Sequence, residues 1–123
     1  MKQKEILTAA IVAVFIIIAV VLVLRPRSTG SNYDSLAQCL TEKGAAMYGA
    51  YWCPHCKTQK EMFGNSFKYI NYIECDARGE NAKPELCEQA GITGYPTWII
   101  NGKTYVGVRQ FQELADATGC SVK

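Results

Sequence analysis

Four consecutive positions of this 123-residue sequence, Cys53-Pro54-His55-Cys56, bring together two thiols and an imidazole. Cysteines two residues apart come within bonding reach when the segment begins a helix. The chemistry this spacing offers is reversible disulfide formation. A thiol at a helix N-terminus meets unpaired backbone N–H groups and the positive end of the helix dipole, and both favour thiolate. Cysteines so placed titrate at about 3.5–7.5, below the usual value of about 8.5. Cys53 is therefore the candidate nucleophile and Cys56, one turn further in, the candidate resolving thiol. Pro54 suits a first helical turn, where its missing N–H would have no partner. His55 is the single histidine of the sequence and would place a donor or partial positive charge beside Cys53. A stabilised thiolate favours the dithiol and makes the disulfide a stronger oxidant.

Two other uses of paired cysteines fit less well. A structural zinc site needs further ligands, typically a second Cys-x-x-Cys. The other cysteines, Cys39, Cys75, Cys87 and Cys120, stand singly. Covalent haem attachment needs histidine directly after the second cysteine, where Lys57 stands. No metal and no cofactor beyond the cysteine pair itself are expected.

The neighbouring segments must hold the pair. Residues 45–51 form a small and aromatic run that reads as a buried strand leading into Trp52 and Cys53. The helix opened by Pro54 stops at Gly64. Upstream, Asp34 can cap a helix running to about Lys43, with Leu36 and Leu40 on its apolar face and Gly44 as its stop. Downstream, residues 67–74 read as a second strand, and a loop with Gly79, Asn81 and Pro84 leads to a short helix ending at Gly91. Residues 97–100 read as a third strand. Asn101-Gly102 is a strong hairpin signal, returning the chain through residues 104–108. Phe111, Leu114 and Ala115 give a last helix its apolar face, stopped at Gly119. The order α-β-α-β-α-β-β-α predicts an α/β domain.

Residues 6–24 are apolar apart from Thr8 and would span roughly 28 Å as a helix, close to a bilayer core. The run exceeds the ~7–15 residues of a signal-peptide core. It ends in Leu24-Arg25-Pro26-Arg27, without a small-x-small cleavage pattern. It reads as an uncleaved anchor rather than a signal peptide. Lys2 and Lys4 on one side nearly balance Arg25 and Arg27 on the other, so charge does not orient it. Six cysteines point to an oxidising compartment. The expected layout is a cytoplasmic stub and membrane anchor at 1–27, a polar linker at 28–33 and a domain at 34–123 on the extracytoplasmic side, periplasmic or lumenal. The chain carries a net charge of +2, and the domain alone about −1, which gives no ground for nucleic-acid binding.

Tyr51-Trp52-Cys53-Pro54-His55-Cys56 resembles the active-site segment of the thioredoxin superfamily, and Gly91-Ile92-Thr93-Gly94-Tyr95-Pro96-Thr97 its cis-proline segment. The resemblance covers nearly all of residues 34–119. It is closest to the thioredoxin-like domains fused to bacterial and plant homologues of vitamin K epoxide reductase, through Tyr48-Gly49-Ala50-Tyr51-Trp52-Cys53, Glu74-Cys75-Asp76 and Pro96-Thr97-Trp98. It implies a thioredoxin fold, with a mixed central sheet flanked by helices. It also implies a cis Tyr95–Pro96 bond facing Cys53 and Cys56, with the Tyr95 backbone pairing to a substrate chain as an added strand. Trp52 would line the substrate groove. The resemblance pairs Cys75 with Cys87 as a structural disulfide worth about 2–3 kcal/mol. Cys39 and Cys120 are then left to each other. An electron relay through one of these pairs is the alternative.

There is one departure. Typical thioredoxins carry a buried acid on the strand before the cysteines, and Met47 holds the matching position here. The Pro-His dipeptide matches strongly oxidising members of the superfamily instead. The resemblance thus implies a membrane-anchored enzyme that oxidises thiols of client proteins and is reoxidised by a separate, quinone-linked vitamin K epoxide reductase homologue. The alternatives are an anchored reductase, such as one serving cytochrome c maturation, an isomerase, or a non-catalytic thioredoxin-fold binding module. Tyr48, Phe67, Tyr69, Tyr72 and Trp98 read as core or sheet residues, and Lys57 and Lys60 as the solvated face of the active-site helix.

Overall fold

The computed structural model describes residues 2–24 and 33–122. Helix α1 (Lys2–Val23) is long and apolar enough to cross a membrane. Of the linker expected at residues 28–33, all but Tyr33 lies outside the described residues. The remaining elements are α2 (Asp34–Glu42), β1 (Ala46–Gly49), α3 (Pro54–Phe63), a 3-10 turn (Gly64–Tyr69), β2 (Tyr72–Glu74), α4 (Pro84–Gln89), β3 (Thr97–Ile100), β4 (Lys103–Val106) and α5 (Phe111–Thr118).

The four strands form one mixed sheet in the order β2-β1-β3-β4. β1 runs parallel to β2 and antiparallel to β3, and β3 and β4 form an antiparallel hairpin. A parallel pair needs a crossover, and α3 lies in it. Most residues of β1 and β3 are buried whichever way they point, as in strands covered on both faces. This is the thioredoxin fold. The hairpin turns on Asn101 and Gly102, both at positive φ (51° and 77°), the conformation that favours this dipeptide.

Three expectations need correction. Residues 67–74 are not one strand: the first part is a 3-10 turn and β2 begins only at Tyr72. Side chains of α2 bend the chain there. The Thr41 hydroxyl donates to the Tyr69 carbonyl at 2.7 Å and accepts from the Asn71 N–H at 3.1 Å. Asp34 does not cap α2, since Tyr33 holds that position. Its carboxylate accepts from the Ser66 hydroxyl instead. Lys60 is not simply solvated, because its Nζ lies 3.9 Å from the centre of the Tyr72 ring.

The core gathers on Phe63 and Trp98, whose ring centres lie 6.2 Å apart, with Leu36, Leu40, Met47, Ile100 and Leu114 around them. Burying side chains of this size contributes about 1.5–3 kcal/mol each. Gln59 is the polar pin among them. Its Oε1 accepts from Trp98 Nε1 at 3.2 Å and from the Arg109 N–H at 2.7 Å, and its Nε2 donates to the Arg109 carbonyl at 3.1 Å. One fully buried amide thereby ties α3 to β3 and to the segment entering α5. Cys39 and Cys120 form a disulfide across 81 residues, joining α2 to the chain after α5.

Candidate active site

β1 ends at Gly49 and the chain turns through Ala50 to Trp52, with the Cys53 N–H donating to the Ala50 carbonyl at 3.1 Å. Cys53 is extended (φ −76°, ψ 121°) and stands at the N-cap of α3, with Pro54 in the first helical turn. Its carbonyl accepts the first helical bond, from the Lys57 N–H at 3.0 Å. The two cysteines of the motif are free thiols. Cys53 is 7% exposed and Cys56 1%, so the first cysteine is the one a substrate can meet. His55 and Pro54 are exposed on the same turn.

Facing them is the loop before β3. The Tyr95–Pro96 peptide bond is cis, and the Tyr95 carbonyl lies 3.8 Å from Cys53 Sγ, which donates to it. Pro96 is buried and Tyr95 half-buried. The Tyr95 ring meets Trp52 edge-on at 6.2 Å, and Trp52 is 54% exposed. The structure thus brings Trp52, Cys53, Cys56, Tyr95 and Pro96 to one place.

Behind Cys56 lies a feature the sequence reading missed. A Cβ on Gly49 would sit 2.8 Å from Cys56 Sγ and 3.3 Å from the Tyr72 hydroxyl, so both atoms face the small space that this glycine leaves open. Tyr72 donates to the Glu74 carboxylate at 2.8 Å, and the other carboxylate oxygen accepts from the Asp76 N–H at 2.9 Å. Glu74 is 5% exposed. A buried acid therefore lies beyond the Tyr72 hydroxyl on the Cys56 side of the sheet, supplied by β2 rather than by the strand before the motif. The signal lay in sheet pairing: Glu74 stands opposite Gly49 in the parallel register. Burial pushes the Cys56 thiol up to about 12, helped by the hydrogen bond and charge of Cys53 and opposed by the Ala50 backbone and Lys60. Tyr72 is raised as well, by burial first and then by Glu74.

Cys75 and Cys87 form the second disulfide, closing the loop that follows β2 across 12 residues. All four cysteines outside the motif are thus paired, leaving no thiolate to join Cys53 and Cys56 around a metal.

A dithiol at the head of a helix, opposite a cis-proline loop and on this sheet, is the arrangement of thioredoxin-fold oxidoreductases, and the similarities to known proteins support the thioredoxin superfamily. Thiol-disulfide oxidoreductase LTO1 of Arabidopsis thaliana is 47% identical over 100 residues, covering 77% of this chain and 27% of that protein. Protein disulfide-isomerase 1 of Dictyostelium discoideum is 33% identical over 94 residues, covering 70% and 25% respectively. A probable protein disulfide-isomerase A6 of Medicago sativa is 33% identical over 90 residues, covering 61% and 23%. The chain spans about a quarter of the length of these curated relatives. No protein-family model matches it.

Proposed function

We propose that this chain is a membrane-anchored thiol–disulfide oxidoreductase that oxidises protein thiols outside the cytoplasm. The observation that carries the reading is the asymmetry of the pair: Cys53 at the helix start, beside the Tyr95 carbonyl, with Cys56 sealed behind it. The names of the relatives, an oxidoreductase and disulfide isomerases, support the same chemistry. Two further disulfides in so small a domain support an oxidising compartment, and α1 supports an anchor.

In the reaction, a substrate thiolate attacks Cys53 Sγ of the Cys53–Cys56 disulfide. The S–S bond breaks, a mixed disulfide forms at Cys53, and Cys56 leaves and takes up a proton. A second substrate thiolate then attacks the substrate sulfur of the mixed disulfide. Cys53 is released as a thiolate at the positive end of the α3 dipole, with His55 on the same turn. Two electrons have then moved from substrate to enzyme; of the two protons given up by the substrate thiols, one ends on Cys56 and the other goes to solvent. In the disulfide form Cys53 has no proton to give, so the Tyr95 carbonyl is left for a substrate N–H. Trp52, Tyr95 and Pro96 form the wall along which the client chain lies. A quinone-linked membrane protein resembling vitamin K epoxide reductase takes the electrons on, and a shared membrane raises the effective concentration of the two partners.

Acid-quenched thiol alkylation of the full-length protein in cell membranes tests this reading. Cys53–Cys56 should be mostly disulfide at steady state and become dithiol when quinone synthesis is blocked. A pair that stays dithiol under both conditions would identify a reductase.

A further inference from the structure

We propose that Asp76 is a positioning residue for substrate: it holds the exposed Trp52 ring upright as one wall of the site, so that the enzyme favours polypeptide thiols over small dithiols. The proposal rests on the oxidoreductase reading above and adds a specificity determinant to it.

Trp52 Nε1 donates to Asp76 Oδ2 at 2.7 Å, across 24 residues of sequence. Asp76 is itself held from several sides. Arg78 grips its carboxylate through Nε at 2.9 Å and Nη2 at 2.7 Å, and the Arg78 N–H adds a third bond at 2.9 Å. The Asp76 N–H is bonded to the buried Glu74 carboxylate, and the preceding residue, Cys75, is fixed by its disulfide to Cys87. Arg78, followed by the Trp52 indole, keeps the Asp76 carboxyl well below the usual carboxylate range, so this acceptor is charged at any ordinary pH.

A ring as exposed as Trp52 would ordinarily sample several rotamers, and fixing it costs side-chain entropy. The charged hydrogen bond offsets that cost before substrate arrives. The fixed ring stands edge-on to Tyr95, whose carbonyl touches Cys53 Sγ, and exposed Tyr51 adjoins it in sequence. An extended peptide crossing Cys53 would meet this aromatic wall along its length, whereas a small dithiol would touch only the sulfur. Preorganised contact of this kind acts on binding rather than on the sulfur chemistry.

The test compares a synthetic dicysteine peptide with dithiothreitol as substrates of the full-length protein in detergent, with glutathione disulfide as terminal oxidant. Asp76→Ala should raise KM for the peptide and lower the peptide-to-dithiothreitol ratio of kcat/KM about five- to tenfold. Asp76→Asn keeps an oxygen acceptor for the indole and should fall between Ala and the unsubstituted protein. Hydrogen exchange at the two indole N–H groups gives an independent reading. Trp52 should lose protection in Asp76→Ala, whereas Trp98, bonded to Gln59 in the core, should keep it and so report that the domain is folded. Arg78→Ala, at a side chain 73% exposed, should move both readouts the same way by a smaller amount. An unchanged substrate ratio in folded Asp76→Ala would overturn the proposal, whether or not the indole loosens. Failure of the unsubstituted protein to oxidise either substrate would instead overturn the functional reading, and this proposal with it.

Discussion

Replacing Cys53 with serine should lower thiol oxidation at least about a thousandfold, because no other sulfur in the domain is both free and reachable. Cys56→Ser should behave differently. Cys53 remains able to attack a disulfide-bonded client, but the thiol that would release it is gone, so mixed disulfides should accumulate and be visible on non-reducing gels. In the unsubstituted protein, and without a second substrate thiol, the mixed disulfide is released by Cys56 attacking Cys53 Sγ, the reverse of the first oxidation step, and this needs the Cys56 thiolate. Burial, above all, raises that thiol from 9.0 to about 12, so the thiolate fraction, and with it the release rate, should rise about tenfold per pH unit between neutrality and pH 10. The sign for stability is the reverse. A raised folded-state value favours the protonated thiol, so the stabilisation is complete below 9.0 and lost as pH climbs toward about 12. Stopped-flow decay of a preformed mixed disulfide checks the kinetics, and a release rate flat across that range would contradict the burial argument.

The Cys39–Cys120 disulfide should matter most for stability. It closes a loop of 81 residues, against 12 for Cys75–Cys87. By chain entropy, that length corresponds to about 4 kcal/mol for the long loop and about 3 kcal/mol for the short one. Domains of this size are stable by only about 5–15 kcal/mol in total. The double variant Cys39→Ala/Cys120→Ala should therefore unfold at markedly lower urea concentration. It should still show thiol oxidation below its transition, because neither cysteine contributes to the wall around Cys53. Cys75→Ala/Cys87→Ala should lose less stability but more peptide oxidation, since its loop carries Asp76. Urea titration paired with the peptide assay measures both, and the reverse ranking would contradict these roles.

Much of this was legible because local signals agreed with the global fold. Pro54 after a buried run placed the dithiol at a helix start, and Asn101-Gly102 placed the β3–β4 hairpin. The misses all depend on contacts distant in sequence. Residues 67–74 carry the aromatic and branched composition of a strand, but Thr41, on another helix, captures the backbone on both sides of Ile70 and bends it. Glu74 ends the expected second strand, and only the β1–β2 register sets it opposite Gly49, on the strand beside the one that leads into the cysteines. The strand before the cysteines, where thioredoxins keep their buried acid, holds none here, and the acid comes from the neighbouring strand. Gln59 carries no local signal of its role, because its partners Trp98 and Arg109 lie far along the chain. The Trp52–Asp76 contact likewise joins two segments whose proximity no spacing rule supplies.

The most direct test of the central claim is the redox equilibrium of the Cys53–Cys56 pair against glutathione, followed by alkylation of the thiols. A strongly oxidising centre should equilibrate near about −120 mV, well above the roughly −200 mV of an oxidising compartment. A value near about −270 mV, that of a thioredoxin-type reductant, would contradict an oxidase.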